Sequence, residues 1–152
     1  SAASDVYKRQ ALQPTFKEYG RQIVANAKAL ATTLEDGGLR IVSGGTDTHL
    51  MLVDLRALEC TGQEAEDALG SVNITVNKNA IPNDPQPARV TSGLRLGTPS
   101  ITTRGFREED VQRMAKLIVK TLNHRGDQGV LEGIRQEVID LTSHFPVPGL
   151  DS

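Results

Sequence analysis

The stretch that most constrains this chain is residues 90–106, VTSGLRLGTPSITTRGF. It crowds three glycines (Gly93, Gly97, Gly105), a series of hydroxyl side chains, Pro99 and two arginines (Arg95, Arg104) into a short span. Glycines let a backbone come close to something, and hydroxyls and guanidinium forks supply hydrogen bonds to it. Leu94-Arg95-Leu96 alternates as a strand does, Gly97-Thr98-Pro99 breaks the pattern, and a helix is due from Glu108. If the two leucines face a core, Arg95 faces the opposite surface, where its fork suits a carboxylate bidentately. An exposed strand arginine and a folded corner are the plainer alternatives, and the residues alone leave both open.

The rest of the chain supplies a scaffold. Phe16, Ile23, Ala27, Leu30 and Leu34 recur at helical spacing over residues 14–34, with Gly37-Gly38 as the stop. Residues 39–42 and 49–55 read as paired strands around the turn SGGTDT. GGTDTH lacks the Lys and following helix of a phosphate loop, so it reads as a tight turn. Thr61 and Glu64 fit a capping box opening a helix to about Leu69 or Gly70, and residues 72–77 alternate as a half-buried strand. Residues 78–87 carry three prolines and form a loop whose amides, Asn79 and Asn83, either contact a heterocycle or simply favour turns. Val111, Met114, Ala115, Ile118, Val119 and Leu122 mark a helix opened by Glu108-Glu109-Asp110, and a last helix spans residues 128–143. The expectation is an α/β (α+β) small domain, a short and mostly antiparallel sheet with helices packed on one side.

Composition narrows the partners. A net charge of −2 on 152 residues offers no basic face, and 3% aromatic residues make no base-stacking platform, so nucleic acid is not expected. No apolar run reaches the roughly 18 residues of a membrane span, and residues 1–10 lack a signal-peptide core, which points to a soluble, cytoplasmic chain. Residues 1–10, SAASDVYKRQ, carry no apolar period and read as a non-native or disordered tail, and residues 147–152 read as a tail. The lone Cys60 reads as an inert thiol, and His49, His124 and His144 lack metal spacing, so no metal is expected.

TSGLRLGTPSITTRGF, SGGTDTHLMLVDL, TGQEAEDALGSVNITVNKNAIPNDP and FKEYGRQIVANAKALATTL, in this order and spacing, resemble the C-terminal portion of serine hydroxymethyltransferase over residues 11–146. The resemblance implies the small C-terminal domain of a fold-type I pyridoxal-phosphate enzyme. Such enzymes are dimers or tetramers that interconvert serine plus tetrahydrofolate and glycine plus 5,10-methylenetetrahydrofolate. It implies that Arg95 holds the substrate carboxylate and that Asn79 lies at the folate pocket. Pro87-Ala88-Arg89 departs from the family's usual loop, which puts folate contacts there in doubt. No Thr-Thr-His run precedes any lysine, so the Schiff-base lysine is absent, with no catalytic residue in this chain. The implied partner is the large cofactor domain, and the chain by itself is expected to be inactive. The alternative is a free-standing amino-acid-binding or interaction module with the small-domain fold.

Overall fold

The computed structural model describes residues 14–42, 50–97, 102 and 104–145. Helix α1, Pro14–Asp36, buries Asn26, Ala27, Leu30, Ala31 and Leu34, one stripe at three- and four-residue spacing. It ends at the glycine pair. Gly38 takes φ +95°, its N–H bonds Glu35 O at 3.0 Å, and Leu39 N–H reaches back to Leu34 O at 3.0 Å. This left-handed stop satisfies carbonyls that the helix end would otherwise leave bare.

The chain continues through β1 (Arg40–Ile41), β2 (Leu50–Asp54), a 3-10 turn (Arg56–Leu58), α2 (Gly62–Ser71), β3 (Asn77–Asn79), β4 (Gly93–Gly97), α3 (Glu108–Asn123) and α4 (Gln128–Ser143). The strands form one open antiparallel sheet in the order β1-β2-β4-β3. With helices packed against this sheet, the expected small α/β domain is what the chain forms. Residues 43–49, which hold the GGTDTH turn and His49, lie outside the described residues. So do both terminal segments read as tails.

Strand alternation sorts the two faces. Met51 and Val53 of β2 pair with Leu96 and Leu94 of β4, and all four are buried in the core shared with α1 and α3. Removing such aliphatic side chains from water stabilises by roughly 1.5–3 kcal/mol each. The opposite face carries Leu52, Arg95 and Asn77 in one row across the sheet, and Arg40, Asp54, Gly93 and Asn79 in the next. Gly93 has no room for a side chain. A Cβ there would sit 2.8 Å from Asn79 O, 2.8 Å from the Ile81 side chain and 2.9 Å from Val53 O, prising β4 from both neighbours. Its smallness therefore serves the approach of main chains and Ile81.

One expected element forms differently. Residues 72–76 alternate in burial as a strand should, but ladder pairing begins only at Asn77. The helix stop is the reason. Asn73 adopts φ 67°, its N–H bonds Gly70 O at 3.2 Å, and Ile74 N–H bonds Leu69 O at 2.9 Å. The end of α2 thus uses the residues that a strand would have needed. The capping box at its start is present, with Glu64 N–H donating to Thr61 Oγ1 at 3.1 Å and Thr61 N–H to Glu64 Oε1 at 3.0 Å.

Candidate functional site

Arg95 sits mid-strand in β4, between Leu52 of β2 and Asn77 of β3. Leu94 and Leu96 turn into the core, so Arg95 leaves by the open face, exposed and without a hydrogen-bond or ion-pair partner among the described residues. The carboxylate in the neighbouring row of that face is already engaged. Asp54 accepts from Arg56 Nε at 3.1 Å and Nη2 at 2.8 Å, and Arg40 Nη1 lies 3.6 Å away. The Arg56 hydrogen bonds outweigh burial and hold the Asp54 carboxyl below the usual carboxylate range. Asp54 is therefore charged and committed, and the Arg95 fork is left for something else.

A cavity of about 650 Å³ lies against Leu96 and the helices on the covered side of the sheet, with Arg95 at its border. Its lining includes apolar side chains, Leu30, Ile74, Ile118 and Phe106, together with the two arginines Arg95 and Arg104. Arg104 is committed elsewhere: Nε donates to Phe145 O at 2.6 Å and Nη2 to Thr142 O at 3.3 Å, neutralising carbonyls at the end of α4. Phe106 is buried against Phe145, with ring centroids 4.4 Å apart, and its carbonyl accepts from Asn26 Nδ2 at 2.9 Å. Asn26, fully buried on α1, also donates to Thr102 Oγ1 at 2.8 Å. These bonds fasten the corner after β4 to both α1 and α4. The two arginines of residues 90–106 thus divide the alternatives posed by the sequence, Arg95 facing outward and Arg104 folding the corner.

Asn79, the second predicted site residue, ends β3 opposite Gly93, on the same face as Arg95 and diagonal to it. Diagonal neighbours across a sheet are about 7–8 Å apart, within reach of one extended ligand. Asn79 does not line the cavity beside Arg95, and its Nδ2 donates to Ala80 O at 2.9 Å. Asn83 takes φ 57° in the turn that follows, which fits the turn role for that asparagine.

The loop beyond Asn79 is ordered by a residue that motif reading passed over. Asp84 Oδ2 accepts from Ile81 N–H at 3.1 Å and Ser92 N–H at 2.8 Å, while Oδ1 accepts from Gln86 N–H at 2.8 Å and Ser92 Oγ at 2.7 Å. The available signal was an aspartate before a proline, a residue that bonds nearby backbone amides. Burial pushes the Asp84 carboxyl up, but the four donors together outweigh it and hold the acid below its ordinary value. Glu64, bonded by Thr61 N–H, shifts the same way. Groups with lowered folded values bind protons less readily than the unfolded chain does. Their stabilisation is present above about pH 4 and is lost as pH falls through the folded values. Melting midpoints measured across that range should drop, and Asp84→Asn should flatten part of the acid limb; an identical limb in the variant contradicts the assignment.

The remaining candidates do not join this site. Cys60 is buried, its thiol donates to Thr61 O at 3.3 Å, and burial raises its pKa. A neutral, enclosed thiol is a poor nucleophile. His124 closes α3, with Nδ1 2.8 Å from Lys120 O. No described helix is long and apolar enough to cross a membrane.

The geometry defines a small α/β domain that offers one uncommitted guanidinium from an open sheet face. The serine hydroxymethyltransferase family model matches residues 1–118, and the chain belongs to that family. It is 56% identical over 146 residues to the serine hydroxymethyltransferase of Acidovorax sp. (strain JS42), a match covering 96% of this chain and 35% of that protein. The protein of the same name from Polynucleobacter necessarius subsp. necessarius (strain STIR1) is 53% identical over 146 residues, again 96% of this chain and 35% of the relative. That of Halorhodospira halophila (strain DSM 244 / SL1) is 52% identical over 141 residues, 93% of this chain and 34% of the relative. The chain therefore spans about a third of the length of the curated relatives it matches.

Proposed function

We propose that this chain is the part of a serine hydroxymethyltransferase that fastens the amino-acid substrate by its carboxylate and meets the folate. The observation that carries the reading is the exposed, unpartnered Arg95 fork on an open sheet face whose neighbouring carboxylate is already paired. Two parallel N–H···O bonds from the fork fix both the position and the plane of a serine or glycine carboxylate. Asn79, on the same face, has a carbonyl oxygen available to accept from a folate heterocycle, since its amide nitrogen is held by Ala80 O. The whole enzyme interconverts serine plus tetrahydrofolate and glycine plus 5,10-methylenetetrahydrofolate, as a cytoplasmic dimer or tetramer.

Pyridoxal phosphate supplies the electron sink for such chemistry when bound. The described residues do not fit its covalent attachment. Lys78 is the register partner of Leu94 on the covered face, its ammonium donates to Gln63 Oε1 of α2, and the two rows of the open face that hold Arg95 and Asn79 carry no lysine. The role of this chain is therefore to bind and orient, and the chain alone is expected to be inactive.

Two measurements test the reading. Mixed with pyridoxal phosphate, the chain alone should give no visible band that borohydride fixes covalently; a fixed band on a single lysine overturns the orienting role. The Acidovorax sp. (strain JS42) protein with its matching segment replaced by this chain should convert serine and tetrahydrofolate. A folded but inert chimera counts against it, and specific glycine binding by the isolated chain in calorimetry favours a free-standing binding module instead.

A further inference from the structure

We propose that Asp84 is a positioning residue that sets where Asn79 stands relative to Arg95, by clasping the end of β3 to the start of β4. The inference rests on the roles given above to Arg95 and Asn79. The β3–β4 ladder stops at the pair Asn79↔Gly93. Just beyond it, a single carboxylate oxygen, Asp84 Oδ2, receives the N–H of Ile81 from the β3 side and the N–H of Ser92 from the β4 side. It takes the place of one further rung. The second oxygen holds Ser92 Oγ and the loop at Gln86 N–H, so one side chain accepts four hydrogen bonds from both strands and the connection between them.

Two neighbouring facts give the clasp its consequence. Ile81, whose N–H it holds, is buried, and its side chain occupies the space against Gly93. Asn79 lies two residues before Ile81, so the clasp and this packing fix the main chain on its far side. The two site residues differ in what else holds them. Arg95 is in a central strand paired to Leu52 and Asn77 on its two sides. Asn79 is the last residue of a three-residue edge strand. Opening the clasp therefore frees Asn79 far more than Arg95.

The side-chain chemistry grades the variants. An asparagine keeps one accepting oxygen. With that oxygen toward Ile81 and Ser92 N–H, its amide faces Ser92 Oγ, which can turn to accept, and only the Gln86 bond is lost. An alanine loses all four. A displacement of about 1 Å in a site can cost on the order of a hundredfold, so Asp84→Ala should raise KM for tetrahydrofolate about tenfold or more, and Asp84→Asn by less.

The experiment uses the chimera described above, with Asp84→Ala, Asp84→Asn and Arg95→Ala compared. The expected result is a graded rise in KM for tetrahydrofolate, Ala above Asn, with KM for serine changed less than about threefold, because only the end of the edge strand moves. Because the Asp84 bonds also stabilise the fold, the melting point drops in either case; a merely structural role would shift both constants together, and that result, or no shift in either, overturns the proposal. If the alanine variant does not fold, the asparagine variant decides by the same ratio of constants. Amide exchange in the chain itself gives an independent reading: Gln86 N–H should lose protection in Asp84→Asn while Ile81 N–H keeps it, and unchanged protection at Gln86 refutes the clasp. Loss of the Arg95→Ala effect on serine would strike the carboxylate assignment, and is read separately from the Asp84 ratio.

Discussion

Replacing Arg95 by alanine in the chimeric enzyme is expected to raise KM for serine by at least about 30-fold. Truncating one member of a buried, hydrogen-bonded charge pair costs roughly 2–5 kcal/mol, and every 1.4 kcal/mol is tenfold. The substrate carboxylate would complete such a pair once the rest of the enzyme covers the open face. Arg95→Lys should recover only part of the loss, since an ammonium cannot reproduce the planar fork. Arg104→Ala is the informative contrast. Its guanidinium holds Phe145 O and Thr142 O, so its removal should lower the melting temperature and leave KM for serine within about twofold, the scale of a change that touches no substrate. Equal and small effects of the two substitutions on serine binding sink the assignment of Arg95.

The largest loss of stability is expected from Phe106→Ala. Phe106 is 1% exposed, lies against Phe145, and has its carbonyl held by Asn26. Removing a buried phenyl ring typically costs about 3–5 kcal/mol, the sum of lost transfer energy and the void left behind. Collapse offers little relief here, because the ring already borders the cavity beside Arg95. Urea unfolding of the chain, followed by far-ultraviolet dichroism, should show a lower midpoint with an unchanged slope. A loss under about 1 kcal/mol would mean that the corner after β4 is held without this ring, against the packing rule for large core side chains.

Periodicity carried the helices well, because an apolar stripe and its punctuation are local facts. The stripe of α1, the glycine stop, the Thr61–Glu64 box and the span of α4 are all readable in order along the chain. Residues 72–77 mislead for a related reason. Alternation reports burial, and burial does alternate there, but Asn73 in a left-handed conformation spends the first of those residues on ending α2. Periodicity does not record which backbone groups are already taken.

Legibility of the site was uneven in the same way. The alternation at Leu94-Arg95-Leu96 placed Arg95 on the uncovered face, and that is where the register puts it. The shared face of Arg95 and Asn79 depends on β3 pairing with β4 across an irregular loop, which no local pattern states. Asp84 escaped notice because its meaning lies in four donors, three of them backbone N–H groups, and amides carry no residue signature. No local pattern separates Arg104 from Arg95, because the carbonyls that Arg104 holds at the end of α4 lie about forty residues further along.

The strand order β1-β2-β4-β3 also bears on how the molecule comes into being. β3 precedes β4 in the chain, yet it has no sheet partner until β4 arrives, and β2, which pairs with β1 on one side, gains its second neighbour from the same strand. Pairings between distant segments are slow to form because loop closure must come before their reward. The strand that joins the two sides of the sheet is also the one that carries Arg95. Assembling the sheet and building the proposed carboxylate site are then a single folding event, and a chain that has completed its sheet has its arginine in place.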